Sequence, residues 1–96
     1  MFDLPTDTAV ERRRYREFRK HLIKSGFTML QYSVYVRICP DRTHAEKYIR
    51  KVKEESPKNG NIQILMITEK QFNDMVSIRK GSSAVENTNS DETFLI

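Results

Sequence analysis

Ninety-six residues make room for one small domain, and a composition of 38% hydrophobic and 31% charged residues excludes a membrane-spanning chain, since no apolar run approaches ~20 residues. A net charge of +4 and a pI near 9.4 lean toward an anionic partner such as nucleic acid. The lone cysteine, Cys39, excludes an internal disulfide; with no signal-peptide pattern in MFDLPTD, it points to the reducing cytoplasm.

Residues 1–4 read as a strand broken by Pro5. Thr8 and Glu11 form a capping box that opens a helix over 9–25, and Gly26 stops it. Tyr15, Phe18 and Leu22 recur at helical spacing and form the buried stripe. Arg13, Arg16, Lys20 and Lys24 project on the opposite face, flanked by Arg12 and Arg19, with Arg14 in the same crowd and only Glu11 and Glu17 among them. A solvated helix face interleaves its charges. This one barely does, which favours phosphate binding.

Over 27–38 the period changes to two. Leu30, Tyr32, Val34, Val36 and Ile38 make an apolar face, while Met29, Gln31, Ser33 and Tyr35 line a semi-apolar one suited to burial against a second copy of the chain. Cys39 and Pro40 read as loop residues, so Cys39 is no nucleophile. A second capping box, Thr43 with Glu46, opens a helix reaching about residue 55 with Ala45, Tyr48, Ile49 and Val52 inward. Its cations Lys47, Arg50, Lys51 and Lys53 are better balanced, by Glu46, Glu54 and Glu55.

SPKNG at 56–60 is a turn, 62–68 an apolar strand, 69–75 a short helix and 76–79 a brief strand. The polar stretch 81–91 reads as a linker, so the chain divides into a domain over 1–80 and an arm over 81–96. Residues 93–96 form a short apolar strand. It must pair with its own sheet or with that of another subunit, and the expectation is a sheet of another chain or of the dimer mate, with Phe94, Leu95 and Ile96 as the partner-binding residues.

Chemistry-bearing motifs are few. There is no glycine-rich phosphate loop, no zinc spacing and no Ser/His/Asp arrangement; His21 and His44 lack partners at ligand spacing, and Asp7 is a helix-start residue. Three segments carry a resemblance: MFDLPTDT at 1–8, QYSVY at 31–35 and NIQILMITEKQF at 61–72. In this order they resemble the small CRISPR-associated endoribonuclease family, the second of the two proteins shared by nearly all CRISPR systems. REFRKHLIKSGF at 16–27 is most similar to its type II forms.

The resemblance implies an α+β, ferredoxin-like βαββαβ fold with an added C-terminal strand, which requires the long 27–38 segment to bend into two strands. It further implies a homodimer with its sheets face to face. Its role would be the acquisition of new spacer DNA, in which the dimer bridges two dimers of the integrase subunit on duplex DNA. Several family members are also assigned metal-dependent nuclease activity on single-stranded RNA or duplex DNA. By position, Asp3 matches the family's catalytic aspartate, paired across the two-fold axis so that two carboxylates hold one Mg²⁺. Ser33 and Tyr35 match positions lining the same interface. Only Met1 and Phe2 precede Asp3 where the family has several residues, so further residues are expected ahead of Met1. The alternative is a ferredoxin-like RNA-binding module without catalysis. Against it, the strands carry QYSVY and QILMIT, not an aromatic-rich consensus, and the basic residues lie on helices.

Overall fold

A computed structural model of the chain describes residues 1–78 and 93–96. The elements are β1 (Phe2–Asp3), α1 (Ala9–Lys24), β2 (Thr28–Gln31), β3 (Val34–Cys39), α2 (Arg42–Glu55), β4 (Asn61–Ile62), β5 (Met66–Thr68), α3 (Glu69–Asn73) and β6 (Thr93–Leu95). β1 pairs with β4, and a four-stranded sheet runs β2-β3-β6-β5, all antiparallel. The architecture is α+β and ferredoxin-like.

The local signals explain most boundaries. At the start of α1, the Thr8 hydroxyl accepts from the Glu11 amide at 3.1 Å and the Glu11 carboxylate accepts from the Thr8 amide at 2.9 Å, the reciprocal capping box. Gly26 follows the helix at φ +90°, a left-handed conformation that glycine adopts without strain, with the Arg37 guanidinium lying against it. The 27–38 segment bends into the β2–β3 hairpin. Its turn falls at Tyr32 and Ser33, Ser33 takes φ 62°, and the register slips between Met29 and Gln31.

Several boundaries differ from the sequence reading, each for a physical reason. Asp41, not Thr43, caps α2, because its carboxylate accepts from the His44 amide at 2.9 Å. Cys39 is the fully buried last residue of β3, and burial raises its thiol pKa, which keeps it protonated and inert. The 62–68 strand splits because it changes partners. Gln63 donates to the Met1 carbonyl at 2.8 Å, whereas Leu65 exchanges both backbone bonds with Ile96 at 3.0 Å. Residues 76–78 form no strand and Ile78 is 94% exposed; Arg79 and the proposed linker at 81–91 lie outside the described residues.

Two corrections bear on function. The C-terminal strand does not need another chain. β6 lies inside the four-stranded sheet, with Phe94 opposite Ile38 on one side and Ile67 on the other, and Phe94 and Leu95 are completely buried. The faces of β3 are also exchanged. Tyr35, read as a partner contact, packs with Phe2, Phe18, Leu22, Ala45, Val52 and Leu95 beneath the two long helices. Val36, read as part of the main core, packs instead with Phe72 and Phe94 on the opposite side, flanked by Leu30, Ile67 and Ile96. Both faces of this sheet carry apolar side chains, so alternation alone could not tell which one the long helices cover.

Two outcomes are expected. Phe94→Ala should lower unfolding free energy by about 3–5 kcal/mol in urea titrations, the cost of a cavity at a fully buried aromatic position. Removing residues 93–96 should unfold the domain rather than trim it. The hydrogen bond from the His44 amide holds the Asp41 carboxyl below its ordinary pKa of 3.8. A depressed carboxyl stabilises the fold above the unfolded pKa and loses that contribution as pH falls through the folded one. The acid limb of the stability profile should therefore shrink in Asp41→Asn, which keeps a capping oxygen without the titration.

Candidate nucleic-acid interface

Helix α1 presents its cations because Phe18 and Leu22 bind its other side to the sheet. Arg12, Arg13, Arg14, Arg16, Arg19, Lys20 and Lys24 are all exposed, but they are not equivalent. Arg12 Nη1 donates to the carbonyls of Thr6 at 3.2 Å and Asp7 at 3.1 Å, bracing the loop before the helix. Arg13 pairs with Glu17 at 3.2 Å, a solvent-screened bridge of small worth. Arg19 Nε donates to the Tyr35 hydroxyl at 2.8 Å, which satisfies the one polar atom of a buried ring. Arg14 turns into a groove shared with Glu17, His21, Glu54 and Glu55, where His21 bridges to Glu55 at 3.2 Å and ties α1 to α2. Arg16, Lys20 and Lys24 form no ion pair among the described residues, and so carry the free charge of the face.

Asp3 is exposed, opposite Asn61 in the two-stranded β1–β4 pair. It shares a shallow depression with Tyr32, Ser33, Asn61 and Gln63. Ser33 anchors the hairpin turn there: its carbonyl accepts from the Phe2 amide at 3.0 Å, and its hydroxyl shares a hydrogen bond with that of Tyr15 at 3.3 Å. The oxygen groups around Asp3 are its own carboxylate, the carboxamides of Asn61 and Gln63 and the hydroxyls of Ser33 and Tyr32. All are hard oxygen ligands of the kind Mg²⁺ prefers. No group of three His, Cys, Asp or Glu side chains is gathered among the described residues, so one chain supplies a single-carboxylate site. Such a donor set is of the kind that suits a Mg²⁺ keeping most of its water.

Of the residues read as partner contacts, Met29 and Gln31 are exposed, Ser33 is half-buried, and Tyr35 is taken up by its own core. Phe94 and Leu95 have no surface to offer, and Ile96 is half-buried. Sequence reasoning did not bring Tyr15 and Tyr32 together beside Ser33. One was read as plain core and the other as an inward strand position, and no Asn-Gly or Gly-rich signal marked the turn at Tyr32.

The chain is thus of the small α+β, ferredoxin-like class, with a cationic helix on one side of its sheet and an exposed carboxylate at the end of its first strand. Comparison with known sequences gives the family. The profile described as CRISPR associated protein Cas2 matches residues 1–75, and the chain belongs to that family. It is similar to the CRISPR-associated endoribonuclease Cas2 of Ligilactobacillus salivarius (strain UCC118), 46% identical over 96 residues that cover 100% of this chain and 94% of the relative. The protein of that name from Streptococcus mutans serotype c (strain UA159) is 44% identical over 99% of this chain and 88% of its own. That from Campylobacter jejuni (strain NCTC 11168) is 43% identical over all of this chain and 67% of its own. The chain's function is therefore CRISPR-associated.

The uneven engagement of the cations gives a stability test. Arg16→Ala and Lys20→Ala should unfold within about 0.5 kcal/mol of the parent. Arg12→Ala and Arg19→Ala, which remove hydrogen bonds to defined acceptors, should be destabilised by about 1 kcal/mol in thermal melts.

Proposed function

We propose that the protein is a dimeric adaptor of CRISPR spacer acquisition that holds duplex DNA against the outer face of α1 and joins integrase subunits on it. The observation that carries this reading is the row Arg16, Lys20 and Lys24, exposed and without ion-pair partners among the described residues, on a helix whose other side is fixed to the core. Cations so displayed neutralise phosphates and release counterions without reading base sequence. A second copy would pack on the sheet face away from the long helices. Exposed Ile38 lies there in strand alternation with Val36, beside partly buried Leu30, Ile67 and Ile96. This aliphatic face also speaks against the RNA-binding module, which would present aromatic rings there.

Phosphodiester hydrolysis is the second part of the proposal, supported by the endoribonuclease name of the relatives and by the oxygen donors around Asp3. Two Asp3 carboxylates meeting across a dimer axis would hold the Mg²⁺, which supplies an activated water and offsets charge on the scissile phosphate. Asp3 would be the ligand, with Asn61 and Ser33 orienting the metal's water shell.

Neutralising Arg13, Arg16, Lys20 and Lys24 together should weaken binding to all duplexes about equally. It should also flatten the logarithmic salt dependence by about 0.9 for each phosphate that the variant no longer neutralises. Weakening confined to one sequence, or none at all, would show the face to be merely solvated. Asp3→Ala should abolish cleavage of RNA or DNA while leaving duplex binding and spacer integration intact; retained cleavage would remove Asp3 from the chemistry.

A further inference from the structure

The β2–β3 turn holds a large aromatic side chain out in solvent, which is the reverse of what a small domain short of core would do with it. Tyr32 is 77% exposed. Yet the ring is supported. It stacks on Tyr15 with centroids 6.2 Å apart and planes within 20°, and Tyr15 leans in turn on Phe2 at 5.7 Å. The turn beneath it is pinned on both sides of Ser33, by the Phe2 amide and by the Tyr15 hydroxyl, and Ser33 holds a left-handed φ of 62°. Tyr32 is thus a ring with one face backed and the other open, on a rigid mount.

Its surroundings are cationic. Arg12, Arg16 and Arg19 follow one another at i, i+4 and i+7 along α1, bordering the stripe that carries Tyr15. Arg19 reaches the sheet at the Tyr35 hydroxyl, and its charge is felt at the Tyr32 hydroxyl. That hydroxyl titrates above its ordinary value, first through hydrogen bonding with Tyr15, so the ring is neutral at physiological pH and does not repel phosphate. The other side of the turn opens on the depression that contains Asp3. Because Tyr32 stacks against α1, it lies on the helix side of the sheet, away from the Leu30–Ile38 face where a second copy is placed.

We propose that Tyr32, backed by Tyr15, is a stacking platform for an unpaired nucleobase, laying the adjoining backbone between the Arg16–Arg19 row and the Asp3 depression. An exposed aromatic face beside guanidinium groups suits a base that is not already stacked inside a duplex, and every base offers a π-face, so the contact is sequence-tolerant. The occupant is the single-stranded end or loop of a nucleic acid. The inference rests on the nucleic-acid reading above and shares Arg16 with its outer row, but it turns on the Tyr32 ring, which that row does not include.

The test uses the full chain and a single-stranded oligonucleotide carrying 2-aminopurine at one end, beside a blunt duplex. The parent should quench the 2-aminopurine on binding, as a stacked base does. Tyr32→Ala should weaken single-strand binding roughly tenfold and abolish the quench, while Tyr32→Trp keeps both and blunt-duplex affinity stays within about twofold. Absence of quenching with the parent, or equal single-strand affinity in Tyr32→Ala, would overturn the platform and leave the duplex-binding face standing. A change of sedimentation in Tyr32→Ala, with both nucleic acids affected alike, would assign the ring to a protein contact instead and overturn it too. Binding of neither nucleic acid would remove both readings.

Discussion

A single ring, that of Phe2, holds the candidate site in place. A strand of two residues has too few backbone bonds to stay down by itself. β1 does so because Phe2 sits edge-on to Phe18 at 5.1 Å, nearly parallel to Tyr35 at 5.8 Å, and against Tyr15 at 5.7 Å. These contacts join the first strand to α1 and to β3 at once. Asp3 follows Phe2 and points to the other side of the strand, so its place is set by that anchor. The Phe2 amide fixes Ser33, and Tyr15, packed on Phe2, supports Tyr32. Carboxylate, turn and aromatic mount are fixed through one side chain.

The second organising feature is the sheet's two apolar sides. The larger core lies under α1 and α2, the smaller under α3 around Val36, Phe72 and Phe94. The helix layer turns cations to solvent, and the opposite side leaves aliphatic surface at Ile38 only partly covered. Charge and apolar surface are thereby separated onto opposite sides of one thin domain. Such a domain can associate with itself through one side and with a polyanion through the other without either contact displacing its rival.

What was legible in the sequence was whatever local chemistry fixes. The Thr8–Glu11 box, the Tyr15–Phe18–Leu22 stripe and the glycine stop specify α1 within its own residues, and the cations follow from its period. Motif order gave the family. Less legible was anything settled by tertiary pairing. The 62–68 run is mostly apolar, and only its change of partner from β1 to β6 divides it. Tyr35 and Val36 are equally good strand residues, and which one lies under α1 depends on the slip between Met29 and Gln31 and on the Phe2 ring that arrives from β1. The destination of Phe94 and Leu95 was a choice between two sheets that no short-range signal decides.

The position of β6 also orders events in time. It fills the gap between β3 and β5, yet its residues are 93–95, while those strands end at residues 39 and 68. A ribosome-bound chain can form α1, the β2–β3 hairpin and α2 early, since their contacts are local. It cannot close the four-stranded sheet until residue 95 has left the exit tunnel. Until then two strands show unsatisfied backbone and the hydrophobic seats of Phe94 and Leu95 stand empty, so closure is a non-local step that waits on residue 95. A nascent chain stalled short of residue 93 would remain open along that seam, a natural substrate for chaperones and proteases.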